Sequence, residues 1–165
     1  GPVFFRQVRC GVDGQPFEVV KFRTMVDDAD ELRSQLRAES EEERGGDVLF
    51  KLAEDPRVTK FGRKLRNWSI DELPQLWNVL KGEMSIVGPR PLPYDEADQA
   101  TGMFSARTRV KPGLAGPWQA YGRSTIPFED MIRLDYSYVA GWSMAEDMRL
   151  LLRTVNAVFG RRGAY

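Results

Sequence analysis

Leu73, Leu76, Trp77 and Leu80 stand at i, i+3, i+4 and i+7 with Gly82 just beyond, and no other pattern in the chain leaves so little choice of structure. It predicts an amphipathic helix over 69–81. The first turn admits two readings. Ser69 with Glu72 has the spacing of a capping box, but Pro74 then falls inside the helix and removes a backbone bond. With Pro74 in the first turn instead, Asp71 and Glu72 mark the entry. Either way two adjacent carboxylates lie near a helix N-terminus.

The remaining segments are patterned less tightly. Phe4 to Arg9 and Phe17 to Thr24 are rich in aromatic and β-branched residues around Asp13-Gly14, which predicts a β-hairpin with a several-residue loop. Residues 27–43 read as a very polar helix ending at Gly45-Gly46. After Asp55-Pro56, the residues Val58, Phe61 and Leu65 recur at helical spacing. Met84 to Val87 reads as a short strand entering the Gly88-Pro89-Arg90-Pro91 turn, 95–107 as a polar helix and 111–117 as a turn-rich connector. A helix over 127–140 carries Phe128, Met131, Ile132, Asp135 and Tyr138. In the last helix Ser143 and Glu146 form a second capping box, and Met148, Leu151, Leu152, Val155, Val158 and Phe159 line one side, flanked by Arg149, Arg153, Arg161 and Arg162. That side packs into the core or rests on anionic lipid; the pattern serves both. The fold class expected is α+β: a mostly helical single domain over 1–165 with an N-terminal β-hairpin and amphipathic helices that face a membrane on the second reading.

With 42% hydrophobic residues and nine phenylalanines, a chain of this length buries roughly two thirds of its unfolded surface in one core. One cysteine excludes an internal disulfide, and the absence of histidine removes the usual zinc sites, so a reducing cytoplasmic setting is expected. No run approaches the ~18 apolar residues that span a bilayer. Gly1 in place of Met, ahead of a strand-like Val3-Phe4-Phe5, suggests that the natural N-terminus lies further upstream. Charge is zero in sum but segregated: residues 27–55 hold eleven acids against four bases, and 56–66 hold five bases (Arg57, Lys60, Arg63, Lys64, Arg66) and no acid. Such runs are ordinarily solvated faces, although a short basic surface also collects anions.

Without histidine, acid–base or nucleophilic work falls to other side chains. A carboxylate at a helix N-terminus is favoured in its ionised form by the dipole, so Asp71 is expected to be deprotonated and able to attack phosphorus. Glu72 is the candidate ligand of Mg²⁺, which favours one or two carboxylates with substrate phosphate oxygens. The purely structural alternative makes Glu72 a capping partner and Asp71 a first-turn acid. Arg90, between two prolines, projects from a stiff turn suited to bidentate phosphate contact, or is only a surface turn. Arg123 follows a glycine that permits close backbone approach, or is a loop arginine. No GxGxxG or Walker pattern is present, which leaves ordinary nucleotide-binding folds unsupported.

Several ordered motifs carry a resemblance over nearly the whole chain: Lys21-Phe22-Arg23-Thr24-Met25, Thr59 to Arg66, Asp71-Glu72-Leu73-Pro74-Gln75-Leu76, Asn78 to Pro91, and Lys111-Pro112-Gly113-Leu114 through Gly122-Arg123. The chain resembles the bacterial sugar transferase family, the monotopic polyprenyl-phosphate phosphoglycosyl transferases that begin exopolysaccharide, capsule and O-antigen assembly. The resemblance implies that Asp71 attacks the sugar-bearing phosphate of a UDP-sugar, expels UMP and passes the phosphosugar to polyprenyl (undecaprenyl) phosphate. It makes Glu72 the Mg²⁺-associated acid and puts Arg66 and Arg90 at phosphate, with Arg123, Asp135 and Asp147 at further family positions. It also implies a place on the cytoplasmic face of the bacterial plasma membrane. Two departures stand out. The hydrophobic re-entrant helix that anchors family members would precede Gly1, and Gly116-Pro117-Trp118-Gln119 stands where Gly-Trp or Gly-Leu-Trp is usual. The alternative is a catalytically silent membrane-surface assembly module on the same scaffold.

Overall fold

A computed structural model describes residues 1–32, 55–97, 102–122 and 126–160. Phe4–Cys10 (β1) and Pro16–Phe22 (β2) pair antiparallel, with Phe5 opposite Lys21 and Arg9 opposite Phe17. A two-stranded ribbon is marginal alone, and one buried side chain closes the outer edge of this one. Asn78 donates to the Glu18 carbonyl (2.7 Å) and accepts from the Val20 amide (3.2 Å), and its amide nitrogen also reaches Glu83 (2.7 Å). The edge groups that would otherwise invite another strand are thereby satisfied.

Thr59 caps the next helix, Lys60–Asn67 (α1), by accepting from the Gly62 amide at 2.9 Å. Gly62 lies so close to the exit of β2 that a Cβ there would stand 2.1 Å from the Thr24 carbonyl oxygen. Gly62→Ala must push α1 away and is expected to cost about 1–3 kcal/mol. A denaturant titration measures this, and an unchanged midpoint would contradict so tight a contact.

The helix expected over 69–81 is broken into two pieces. Ser69 takes a left-handed backbone (φ 53°), Ile70–Gln75 forms a 3-10 helix containing Pro74, and the α-helix proper is only Leu76–Leu80 (α2). Proline lacks the amide an α-turn needs and disfavours helical geometry at the residue before it, so regular helix begins only after Pro74. Of the two readings of this turn, the capping box does not form, since the Ser69 side chain makes no capping bond and the Glu72 amide bonds the Ser69 carbonyl (3.2 Å); Asp71 and Glu72 lie in the first turn. The apolar stripe faces outward, with Leu73 51%, Trp77 58% and Leu80 79% exposed.

Ser85–Val87 (β3) pairs in parallel with Gly113–Ala115 (β4), so the connector over 111–117 contains a strand hidden by its turn-rich composition. Between them, Tyr94–Ala97 (α3) and a 3-10 helix at Gly102–Arg109 stand where one helix over 95–107 was expected. Most of the polar helix expected over 27–43 lies outside the described residues. Pro117–Tyr121 (α4), Phe128–Ala140 (α5) and Met144–Phe159 (α6) complete an α+β fold that is mostly helical. α5 supplies both core clusters: Phe128, Met131 and Ile132 pack with Leu92, and Tyr138 packs with Val87 and Leu150.

α6 starts on its expected cap, with Ser143 Oγ accepting from the Glu146 amide at 3.2 Å. Its buried side is marked by Leu150, however, and Met144, Met148, Leu152, Val155 and Phe159 are exposed. Leu151 of the expected stripe packs against the Val87–Tyr138–Leu150 cluster, but core packing does not account for Met148, Leu152, Val155 and Phe159. Trp68, at the end of α1, meets Phe159 edge-on at 6.4 Å, which joins the exposed apolar residues of the two regions. Among the described residues no helix is long and apolar enough to cross a membrane.

Candidate functional site

Two prolines without amides make Gly88-Pro89-Arg90-Pro91 dependent on its carbonyls for anchorage. The Pro89 carbonyl accepts from the Gly113 amide (2.8 Å), that of Arg90 from Arg107, that of Pro91 from Arg9 (3.1 Å) and that of Leu92 from the Cys10 amide (2.9 Å). Gly88 lies so near β4 that a Cβ at Gly113 would stand 2.1 Å from its nitrogen. The stiff turn expected from sequence is thus clamped from four directions. Arg90 leaves it with its guanidinium 4.3 Å over the Trp118 ring and 3.8 Å from Glu72. Stacking on an indole face holds a guanidinium plane while leaving its edge for an anion.

The 3-10 helix brings the acids to the inner face of β2. Lys21 Nζ donates to Glu72 Oε1 at 2.8 Å, with both side chains about one fifth exposed. Burial pulls the Lys21 amine below its ordinary range, as do Arg90 and Arg9, while Glu72 opposes the shift. Lys21, Glu72, Arg90 and Gln119 share one small cleft, and Asp71 sits beside it rather than on its wall. Arg66, partly buried at the end of α1, donates through Nε to Thr24 Oγ1 (2.9 Å) and interacts electrostatically with Asp71.

One electrostatic expectation is reversed. The Asp71 carboxyl is raised above the ordinary range, first by burial and then by its neighbour Glu72, while Lys21 and Arg66 pull the other way. The helix dipole that was to keep it ionised is weak, because the segment is a short 3-10 turn. Ionised Asp71 is therefore lost at a higher pH than an ordinary aspartate would be. In a carbon-13 titration its midpoint is expected above the usual carboxylate range in the native protein and lower in Glu72→Gln, where the like charge is gone. A midpoint that does not move in Glu72→Gln would contradict the coupling.

Asp71, Glu72, Arg66 and Arg90 are thus brought together. Asp135 is not beside the acids: it is fully buried on α5, 2.9 Å from the Arg107 guanidinium, and its link to the site runs through Arg107 to the Arg90 carbonyl. Asp147 accepts from the Tyr138 hydroxyl (2.8 Å) and the Trp142 indole (3.3 Å), pinning the junction of α5 and α6. Arg123 lies outside the described residues. Sequence reasoning did not assign Lys21, Arg107 or Trp118 a role. Only Lys21 left a signal, a lysine in phase with Phe17 and Val19 on the inward face of a strand.

For Mg²⁺ the donor chemistry fits in a restricted way. No group of three or more Cys, Asp or Glu that would form a protein cage exists among the described residues. Two adjacent carboxylates, one of them shared with Lys21, suit an ion that takes one or two protein oxygens and completes its shell with phosphate and water.

A carboxylate pair flanked by partly buried cations thus lies near an arginine whose turn is held through its own backbone carbonyls. Residues 1–161 match the model of the family described as bacterial sugar transferase, and the chain belongs to that family. Relatives include the UDP-galactose-lipid carrier transferase of Erwinia amylovora, 41% identical over all of this chain and 35% of its own length. The undecaprenyl-phosphate galactose phosphotransferase of Salmonella typhimurium is 40% identical over all of this chain and 35% of its own. The exopolysaccharide production protein ExoY of Rhizobium meliloti is 40% identical over all of this chain and 74% of its own. The chain thus spans about a third of the first two relatives and about three quarters of the third.

Proposed function

We propose that this chain transfers a sugar phosphate from a UDP-sugar to polyprenyl phosphate, the first membrane step of exopolysaccharide or related glycan synthesis. One observation carries the reading: the Asp71–Glu72 pair lies between Lys21, Arg66 and the clamped Arg90. In the first step an Asp71 oxygen bonds to the sugar-bearing phosphorus as the bond to the UMP oxygen breaks, and UMP leaves with that electron pair. In the second, a phosphate oxygen of the polyprenyl carrier attacks the same phosphorus, giving the polyprenyl diphosphate sugar and restoring the carboxylate. Arg90 and Arg66 offset the charge of the diphosphate, and Lys21 holds Glu72 in place. Mg²⁺, held by Glu72 with help from Asp71, would supply positive charge to the phosphate oxygens. Cation approach also favours the ionised form of Asp71, which burial alone disfavours.

The outward apolar residues, Leu73, Trp77 and Leu80 below the acid pair and Met148, Leu152 and Phe159 on α6, support docking on a lipid surface. That surface would be the cytoplasmic leaflet, where such a carrier is loaded. Intact mass of the full-length protein mixed with Mg²⁺ and candidate UDP-sugars tests the reading. A phosphosugar adduct mapping to Asp71 is expected, and UMP release without it, or no release with any donor, would overturn it. Liposome binding with no turnover would favour the silent assembly module.

A further inference from the structure

Arg90 also borders a second pocket, whose lining contains neither acid and includes Cys10, Pro89, Leu92, Arg107, Val110 and Pro112. Arg90 lines both this pocket and the acid cleft, so a molecule seated here reaches Arg90 and continues toward Glu72. The wall is largely apolar and carries one buried cation. The Arg107 side chain is 6% exposed; one terminal nitrogen lies 2.9 Å from Asp135 and reaches the Arg90 carbonyl, and the other, Nη1, has no hydrogen-bond partner among the described residues. A buried N–H donor without an acceptor is costly, and a ligand carbonyl oxygen would relieve it.

The chemistry discriminates among the parts of a nucleotide sugar. A phosphate requires several uncompensated cations, whereas Arg107 is already paired with Asp135. A sugar requires many hydroxyl partners, and the wall offers only two hydroxyls, Ser105 and Thr108, the second already donating to the Ser105 carbonyl (2.7 Å). A flat heterocycle with a carbonyl edge suits apolar walls and a single fixed donor.

We propose that this pocket is the nucleobase subsite of the donor, with Arg107 Nη1 donating to a carbonyl oxygen of the base while Arg90 meets the diphosphate. The inference rests on the nucleotide-sugar reading above but can fail separately from it.

Cys10, the only thiol in the chain, lines the pocket and makes a local reporter. In the full-length protein, saturating UMP is expected to slow alkylation of Cys10 by iodoacetamide at least fivefold, whereas ribose 5-phosphate at the same concentration does not. Calorimetry should show UMP affinity reduced at least tenfold in Val110→Phe, which fills the pocket. Equal protection by ribose 5-phosphate, no protection by UMP, or unchanged UMP affinity in a folded Val110→Phe would each overturn the subsite. Should Val110→Phe not fold, the alkylation result in the native protein decides alone. UMP binding with these properties but no adduct on Asp71 would retain the subsite and sink the transfer reading, and an adduct forming with no UMP protection would do the reverse.

Discussion

Asp71→Asn is expected to lower sugar-phosphate transfer at least about 1,000-fold, roughly 4 kcal/mol of barrier, while leaving the protein as stable as before or slightly more so. The loss follows from the bond proposed to form. An amide oxygen is too poor a nucleophile to displace UMP, and no histidine exists to replace it. The stability follows from the raised carboxyl of Asp71, whose ionised form is disfavoured in the folded protein chiefly by burial and by Glu72. The stability contribution of such a group is full below its unfolded pKa and is lost as pH rises through its folded one, so at neutral pH a neutral isostere removes a cost. Glu72→Gln is expected to fall less far, since it removes a charge and the Lys21 ion pair but not the attacking oxygen. UMP release by full-length protein in membranes, read beside thermal unfolding, checks both halves. Turnover within tenfold of native would end the case for Asp71 as nucleophile, and a collapse in melting temperature would mean that its role is structural.

How much of this was legible beforehand depended on whether the determinant was local. The hairpin, the cap at Ser143 and the stiff turn at Arg90 rest on neighbouring residues, and the last two need only short-range features: a hydroxyl before a helix, or two prolines around an arginine. The acid pair itself stood out for the same reason. Its electrostatics did not, because the burial and the approach of Lys21 that set the state of Asp71 arise only when β2 meets a segment some fifty residues later. The parallel strand at Gly113–Ala115 was hidden likewise, since three residues of turn-like composition become a strand only by pairing with Val87 and its neighbours. Periodicity correctly located the α6 stripe but was silent on which side is covered. Leu150, outside the stripe, is the buried residue that packs with Tyr138 and Val87, and of the stripe Leu151 packs against them. Helical spacing marks an apolar face and carries no information about whether protein or lipid lies against it.

The Arg107–Asp135 pair gives the second large effect, and it separates a structural from a binding role. Asp135 is pushed up to about 6, burial outweighing the attraction of Arg107 and Arg90. Arg107→Leu strips away the nearer cation and leaves a buried carboxyl, at an expected cost of about 3–5 kcal/mol. The double replacement Arg107→Leu with Asp135→Leu removes both desolvation penalties and is expected to return within ~1 kcal/mol of native stability or above it. The pH dependence supplies a signature. With an unfolded value near 3.9, the folded chain keeps a proton that the unfolded chain releases, so Asp135 makes native stability fall between about pH 4 and 6, by ~3 kcal/mol in all. That slope should be absent from the double variant's own curve. Urea titrations of the three proteins across this range measure it; a double variant as unstable as Arg107→Leu alone, or one with the native slope, would show that the pair is not the source. Regained stability is not expected to bring back UMP affinity, because the donor at the back of the Arg90 pocket is lost in both variants. If the double variant binds UMP as well as the native protein, Arg107 serves only to hold Asp135 and the Arg90 carbonyl, and the base is read elsewhere.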